Sequence, residues 1–246
     1  MLQEGIIDEA EFKTSQKSSK KLFPHGIPEC GTDALRFTLC CVDVKQHTIN
    51  FNVVDCQQNK FFFNKIWNAT RYTLASHDSL GLDVMTAPHL IRTELEPMDR
   101  WIMSRLANVV VDIHQQMDNY DFHLVTKSLR TFFYTNLCDV YLETTKSGIS
   151  AKNQPSAKNH CAVLVACLSI GLQHLSYFAP FVSHELNKHL PTVPFQPGEW
   201  LDEGLERDVD RLLELCLLIR QLKSQQNINK KKHEPESRFE RKLMSF

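Results

Sequence analysis

Apolar residues recur at helical spacing from about residue 55 to residue 227 of this chain. Proline residues interrupt that pattern at a few positions, where a helix cannot continue undisturbed. Between the interruptions we predict helices over 55–76, 97–117, 121–148, 156–176, 180–190 and 202–227, with Gly148 ending the third of them. Amphipathic helices must bury their apolar faces against one another, so the pattern predicts a mostly α fold, a helical bundle.

The first 54 residues lack this long helical period. Residues 1–22 are polar and end in a basic cluster, which predicts a mobile lead-in, and the two Pro and two Gly of FPHGIPECG (23–31) predict a loop. A short helix should follow from Thr32, and the alternating run 48–53 predicts a short strand. We therefore expect three segments: a short α/β region at 1–54, a helical domain at 55–191, and an accessory helix with a charged tail at 192–246.

Composition excludes several classes of function. The formal net charge is −1, so RNA binding would require a local patch rather than bulk charge. The eight Cys contain no Cys-x-x-Cys pair, which argues against a zinc knuckle or a redox motif. The sequence shows no signal or transit peptide and no membrane-spanning apolar run. We expect an intracellular protein, cytoplasmic by default, with mitochondrial residence left open.

Five strings follow one another in an order that carries a family resemblance. They are FPHGIPECGTDALRFTLC (23–40), NKIWNATRY (64–72), MDRWIMSRL (98–106), NLCDVYLE (136–143) and FAPFVSHEL (178–186). In wording, order and spacing they resemble valine–tRNA ligases, a family of class I aminoacyl-tRNA synthetases. The resemblance implies that 1–54 is a remnant of the catalytic domain and of the connection toward the tRNA acceptor stem. It implies that 55–191 is a helical bundle of the class I synthetase anticodon-binding type, so the chain corresponds to a C-terminal fragment.

The motifs that carry catalysis in that family are missing from this sequence. The family uses a His-x-Gly-His loop for ATP, a Lys-Met-Ser-Lys-Ser loop for the pyrophosphate and an inserted editing domain. The string KTSQKSS (13–19) only superficially echoes the second motif, because it has one extra residue between its Ser and Lys. We therefore predict no catalytic residue, no metal ligand and no cofactor in this chain; ATP and Mg²⁺ would bind elsewhere in a complete enzyme.

One face of the first bundle helix carries the best candidates for RNA binding. Lys60, Asn64, Asn68 and Arg71 are spaced by four, four and three residues, and Lys65 lies at the edge of their face. Amides can recognise base edges, and cations can hold phosphates. Taken alone, the spacing is more typical of a solvated polar face. The family resemblance favours RNA binding, because this helix contributes to the anticodon side in valine–tRNA ligases.

Arg100 and Arg105, in the string MDRWIMSRL, are two further candidates. They could bind RNA, or they could form ion pairs within the bundle, and the sequence does not separate the two roles. Trp67 and Trp101 could stack on a base, but their helical spacing favours core positions.

The leading hypothesis is therefore binding of tRNA(Val) by its anticodon side, without DNA or membrane partners. The first alternative is that the chain complements a separate catalytic half, or is part of an active ligase. The second is a non-catalytic helical module that binds protein partners, which would require a large exposed apolar patch.

Overall fold

The computed structural model describes residues 8–49, 51–82, 88, 90–150 and 155–225. Within these ranges the chain is helical and contains no strand, which confirms the predicted mostly α bundle. The α-helices are α1 (Glu9–Leu22), α2 (Thr32–Cys40), α3 (Val53–Ser79), α4 (Pro97–Asp118), α5 (Phe122–Arg130), α6 (Leu142–Ser150), α7 (Pro155–Leu175), α8 (Pro180–Asn187) and α9 (Glu203–Gln225), with a π-helical segment at Thr131–Tyr141 between α5 and α6. The predicted charged tail after residue 225 lies outside the described ranges.

Helix α1 occupies most of the segment predicted to be a mobile lead-in. Asp8 begins it with a capping box: its side chain accepts a hydrogen bond from Glu11 N at 2.7 Å, and Glu11 Oε2 accepts one from Asp8 N at 3.3 Å. Acidic residues fill its first turn and Lys20 and Lys21 its last turn, which suits the helix dipole. The helix buries none of its residues, so local capping and charge, rather than packing, account for it.

The strand predicted at 48–53 is wrong for the described residues of that run. Asn52 instead caps α3, with its side-chain oxygen accepting a hydrogen bond from Val54 N at 3.1 Å, and Val53 is already helical. A strand needs a partner for its backbone groups, and no second strand exists within the described ranges. In its described part, 8–49 and 51–54, the N-terminal segment therefore contributes helices α1 and α2 and the start of α3, and no strand.

An aromatic cluster joins α2 and α3 to the rest of the bundle. The Phe37 ring on α2 lies 5.5 Å from the rings of both Phe62 and Phe63 on α3. The Phe62 ring lies 6.4 Å from that of Phe133 in the π-helical segment, and Phe37 lies 6.4 Å from Phe178. Three of these pairs, all except Phe37–Phe62, are edge-to-face, and such pairs add stabilisation beyond the burial of apolar area. Helices α2 and α3 are therefore part of one core with the bundle.

Asp33 makes a second connection between α2 and the bundle. Its carboxylate accepts hydrogen bonds from Phe181 N at 3.3 Å and Val182 N at 2.6 Å. These two amides belong to the first turn of α8, where backbone donors lack intrahelical partners. Although Asp33 lies in the first turn of α2, its carboxylate thus satisfies backbone donors of a different helix, α8.

Helix α6 shows why a glycine need not end a helix. We predicted that Gly148 stops the third helix, but α6 continues to Ser150, so that prediction is wrong. A Cβ atom at Gly148 would lie 3.2 Å from Cδ2 of His160 on α7. The missing side chain therefore allows α6 and α7 to approach closely.

Among the described residues, none of the helices combines the length and the apolar character needed to cross a bilayer. All eight cysteines are free thiols, four of them buried. Burial raises the pKa of Cys138 and of Cys161 to about 11, so both stay protonated at neutral pH.

Candidate nucleic-acid interface

The outer face of α3 presents the polar stripe that the sequence predicted. Asn52 caps the helix, and its 27 residues bury an apolar side that includes Phe62, Phe63 and Ile66. Lys60, Asn64, Asn68 and Arg71 all lie on the opposite, exposed side. The structure therefore brings these four predicted residues together on one accessible surface, which we call the α3 stripe.

The members of the α3 stripe differ in how strongly the protein already engages them. Within the described ranges, the side chains of Asn64, Asn68 and Arg71 make no hydrogen bond or ion pair, so their donors and acceptors are available to a ligand. Lys60 Nζ donates a hydrogen bond to the carbonyl oxygen of Glu29 at 3.2 Å while its side chain stays exposed. An exposed amide pair between two cations is chemically suited to a base edge and the adjoining phosphates.

Lys65 lies beside the stripe, half-buried against the π-helical segment. Its Nζ donates to Asp139 Oδ1 at 2.6 Å and lies 3.3 Å from the centroid of the Tyr134 ring. These contacts fix the ammonium group, whereas the Arg71 guanidinium is unconstrained. Asp139 is thus the ion-pair partner of Lys65.

The two tryptophans occupy opposite environments. Trp101 on α4 is 0% exposed, as its helical spacing predicted. Trp67 on α3 is 43% exposed, so the prediction of a core position is wrong for this residue. Three exposed residues lie near it on the same helix: Asn64 three residues before it, Asn68 directly after it and Arg71 four residues after it. Trp67 therefore adds an exposed aromatic side chain to the α3 stripe.

Arg105 of α4 is paired with α9, whereas the side chain of Arg100 makes no hydrogen bond or ion pair with any described residue. Arg105 Nη1 lies 3.2 Å from Glu206 Oε2, and Arg105 Nη2 donates to Asp210 Oδ1. Glu206 is buried and also accepts hydrogen bonds from Ser104 and, at 2.7 Å, from Asn108 Nδ2. Arg100 is half-buried, and its charge helps to lower the pKa of Asp202, although the Leu205 amide contributes most. The RNA-binding role of Arg100 and Arg105 stays a prediction.

Phe61 is an exposed residue that the sequence analysis did not single out. Its side chain is 65% exposed on α3. A signal for this placement was present: consecutive helical residues are rotated by about 100°, so Phe61, Phe62 and Phe63 cannot all face one core. Arg130, half-buried on α5, was also missed, because nothing in its local sequence shows that it reaches Asn59 Oδ1 on α3 at 2.6 Å.

A buried polar cluster connects α4, α7 and the π-helical segment. Asp99 Oδ1 accepts a hydrogen bond from Tyr141 Oη at 2.5 Å and lies 2.7 Å from His160 Nδ1. Burial lowers the pKa of His160, but the hydrogen bond and charge of Asp99 outweigh that effect and raise it overall. Burial and the Asp99 charge raise the pKa of Tyr141. The cluster has the composition of an acid–base site, but all three groups are buried, so it serves to hold the three elements together.

A metal centre has no candidate in the part of the chain that the structure describes. There, no three His, Cys, Asp or Glu side chains are grouped so that they could hold an ion.

Comparison with known proteins places the fold in a family. Residues 99–238, more than half of the chain, match the family described as the anticodon-binding domain of tRNA ligases. The matched range begins in the first turn of α4, so α3 precedes it, although α3 shares the aromatic cluster with the matched helices.

Individual relatives extend the similarity to nearly the whole chain. The chain is 36% identical over 245 residues to the mitochondrial valine–tRNA ligase of Homo sapiens, an alignment that covers 93% of this chain and 23% of that protein. It is 35% identical over 239 residues to another Homo sapiens valine–tRNA ligase, covering 91% of this chain and 19% of that protein. A valine–tRNA ligase of Takifugu rubripes is 33% identical, with 93% and 20% covered. The chain thus spans a quarter or less of the length of these relatives.

Proposed function

The chain belongs to the family of anticodon-binding domains of tRNA ligases, and we propose that it binds tRNA(Val) on the anticodon side of that RNA. The observation that carries this proposal is the α3 stripe, where Asn64, Asn68 and Arg71 are exposed and uncommitted within the described ranges. The choice of tRNA(Val) is supported by the names of the relatives, which are valine–tRNA ligases.

The chemistry of the stripe suits a short single-stranded loop. Lys60 and Arg71 would neutralise phosphates, while the Asn64 and Asn68 amides would donate to and accept from base edges. Two or three cations on a chain of net charge −1 give modest affinity that depends on salt, because each phosphate contact releases counterions. Sequence preference would therefore come from the amides and affinity largely from the cations.

The same proposal assigns the chain one part of a ligase rather than the whole activity. We infer that 1–54 is the remnant that adjoins a catalytic domain, that 55–191 binds the anticodon side, and that 192–246 is accessory. Activation of valine with ATP and Mg²⁺ would take place on other parts of a complete enzyme. The contacts of the Phe37 ring with Phe62 and Phe63 support treating the first two segments as one packed unit.

The test is binding of the full chain to labelled tRNA(Val), with unlabelled cognate or non-cognate tRNA as competitor. We expect the cognate RNA to compete better, and the affinity to fall as salt rises. Arg71→Ala combined with Asn68→Ala should weaken cognate binding about 10- to 100-fold, as expected for one phosphate contact and one base contact.

The matched control is Arg207→Ala combined with Gln221→Ala, which removes an exposed cation and an exposed amide from α9 instead of α3. That variant should bind as the unaltered chain does. Equal competition by both tRNAs, or equal loss in the two double variants, would refute specific recognition by the α3 stripe.

One observation favours a second candidate, a protein-interaction module. The second half of α9 exposes a dense apolar surface comprising Leu212, Leu215, Leu217, Leu218, Ile219 and Leu222. A helix that is apolar on several sides is usually covered. Under this candidate Leu215→Glu plus Leu222→Glu would abolish partner binding and leave tRNA affinity unchanged.

A separate catalytic half is the partner that would restore aminoacylation. Mixing this chain with the catalytic part of a valine–tRNA ligase should raise charging of tRNA(Val) above the level of either part alone. No increase, with tRNA binding intact, would leave an RNA-binding module and exclude complementation. The relatives include proteins named as mitochondrial and proteins whose names carry no compartment; we expect this chain in the cytoplasm, with mitochondria as the second location.

A further inference from the structure

A cleft between α3 and the α5–π-helical junction lies next to the α3 stripe. It has a volume of roughly 300 Å³ and is lined by Gln58, Phe61, Phe62, Arg130 and Tyr134. That volume is at the lower end of the range for small-ligand pockets, which suits one planar group rather than an extended molecule. Phe61 and Tyr134 are both large aromatic side chains left exposed, at 65% and 43%.

The side of the cleft formed by Tyr134 and Arg130 is held in place before any ligand arrives. Lys65 Nζ lies 3.3 Å from the centroid of the Tyr134 ring, and Asp139 fixes that ammonium group at 2.6 Å. Arg130 donates to Asn59 Oδ1 at 2.6 Å, and its guanidinium carbon lies 5.6 Å from the centroid of the Phe62 ring. Fixed side chains lose little conformational entropy on binding, so the side of the cleft formed by Tyr134 and Arg130 is preorganised, whereas the Phe61 ring is 65% exposed and can adjust to a ligand.

The chemistry of these walls selects the class of ligand. Exposed rings offer stacking surfaces to any base. The two cations, Lys65 and Arg130, favour a polyanionic chain over a peptide that is apolar or has few acidic residues. Gln58 adds one amide, exposed and on the same helix, that can donate to and accept from a base edge. A single-stranded nucleotide satisfies all three features.

The position of the cleft agrees with the stripe. On α3, Phe61 lies three residues after Gln58, three before Asn64 and four before Lys65. Residues three and four apart are neighbours on a helix, so the cleft and the stripe border one another. An RNA loop that crosses the stripe could therefore place one unpaired base in the cleft.

We propose that this cleft is a stacking pocket for one unpaired base of the bound RNA loop, with Phe61 and Tyr134 as the stacking residues and Gln58 as the residue that contacts the base edge. This inference rests on the proposed function, because it specifies how the same RNA is held. It adds a site outside the four residues of the α3 stripe.

The experiment uses the full chain and tRNA(Val) carrying 2-aminopurine at one anticodon position at a time, with fluorescence reporting stacking. For one position, binding should quench the fluorescence, and Phe61→Leu should relieve the quenching and weaken binding by roughly 5- to 140-fold. Phe61→Trp should retain both, because it keeps a stacking surface. Since Phe61 is mostly exposed, the leucine variant should unfold at the same urea concentration as the unaltered chain.

Two controls separate the pocket from the wider proposal. Tyr177→Leu removes a ring of similar exposure, 56%, from the turn after α7 and should change neither signal. An RNA with an abasic site at the quenched position should bind the unaltered chain and the Phe61→Leu variant equally, because both complexes then lack the stack.

The outcomes are distinguishable. If Arg71→Ala weakens binding but Phe61→Leu and Tyr134→Leu do not, the pocket is refuted while the α3 stripe stands. If the unaltered chain does not bind tRNA at all, the proposed function itself fails, and with it this inference. Binding of a peptide but not of RNA in the cleft would likewise overturn the assignment to a base.

Discussion

Helices α3 and α4 carry similar side chains and use them in opposite ways. Each has one tryptophan and at least one arginine within a string shared with the valine–tRNA ligase family. On α4 the tryptophan is fully buried and Arg105 is paired with Glu206 and Asp210. On α3 the tryptophan is 43% exposed, and Arg71 makes no hydrogen bond or ion pair with any described residue.

The difference follows from what packs on each helix. Elements lie against α4 on several sides: α5, α7, the π-helical segment, α9 and its lead-in. None of the α4 residues from Asp99 to Val110 is therefore exposed. α3 is covered on one side only, by α2, α7, α8 and the π-helical segment. Arg105 on the covered face of α4 forms structural ion pairs, whereas Arg71 on the uncovered side of α3 stays available to a ligand. Four predictions test this contrast.

The largest effect should come from replacing the two tryptophans. Trp101→Ala should lower the free energy of unfolding by about 3–5 kcal/mol, because it leaves a cavity in the core. Trp67→Ala should change it by about 0.5 kcal/mol, as surface substitutions do. Urea denaturation followed by circular dichroism measures both. Similar losses in the two variants would mean that α3 is covered in solution.

The next effect should separate the two kinds of arginine. Arg105→Ala removes charged hydrogen bonds to α9 and should cost about 1.5–3 kcal/mol of stability. It should weaken tRNA(Val) binding less than Arg71→Ala does. If Arg105→Ala instead leaves stability unchanged and removes RNA binding, α4 would be part of the interface, as the sequence allowed.

A smaller effect should appear in the salt dependence of RNA binding. Arg71→Ala should reduce the slope of log affinity against log salt by about one, because one phosphate contact is lost. Arg105→Lys keeps the charge on α4 and should leave that slope unchanged. Filter binding at several potassium chloride concentrations gives both slopes, and an unchanged slope for Arg71→Ala would remove the phosphate contact from the proposal.

The smallest effect concerns pH and the buried face of α4. Asp99 raises the pKa of His160 above its ordinary value, even though burial opposes this. A raised pKa in the folded state means that the stabilisation is complete below pH ~6.5 and is lost as pH rises through the folded pKa. We therefore expect the stability difference between the unaltered chain and His160→Gln to shrink above pH ~6.5.

The groups that face His160 are Glu96 and Asp99 from α4 and Tyr141 from the π-helical segment. His174, whose pKa burial lowers, acts in the opposite sense and at lower pH, so the two windows are separate. Thr70→Val on α3 alters a buried neutral hydroxyl and is the matched control. A pH-independent difference for His160→Gln would show that His160 stays neutral.

Much of the fold could be predicted from local sequence. The positions of α4 and α7 follow from apolar spacing; Pro97 is the first residue of α4 as predicted, and α7 begins at Pro155, one residue before its predicted start. The predicted strand near residue 50 failed because a strand depends on a partner elsewhere in the chain, while the Asn52 cap depends only on its neighbours. Gly148 was misjudged for the same reason: its role depends on His160 in another helix.

In the candidate site, too, some features follow from the local sequence and others only from tertiary packing. Helical geometry alone places Lys60, Asn64, Asn68 and Arg71 on one face, because residues three and four apart are neighbours in any α-helix. The sequence by itself thus determined the helical class, the family resemblance and the membership of the α3 stripe. Only the tertiary structure decided that Trp67 is exposed, that Arg105 is paired, and that Phe61, Arg130 and Tyr134 border one cleft. Those facts depend on which surfaces pack together, and packing joins residues that are far apart in the chain.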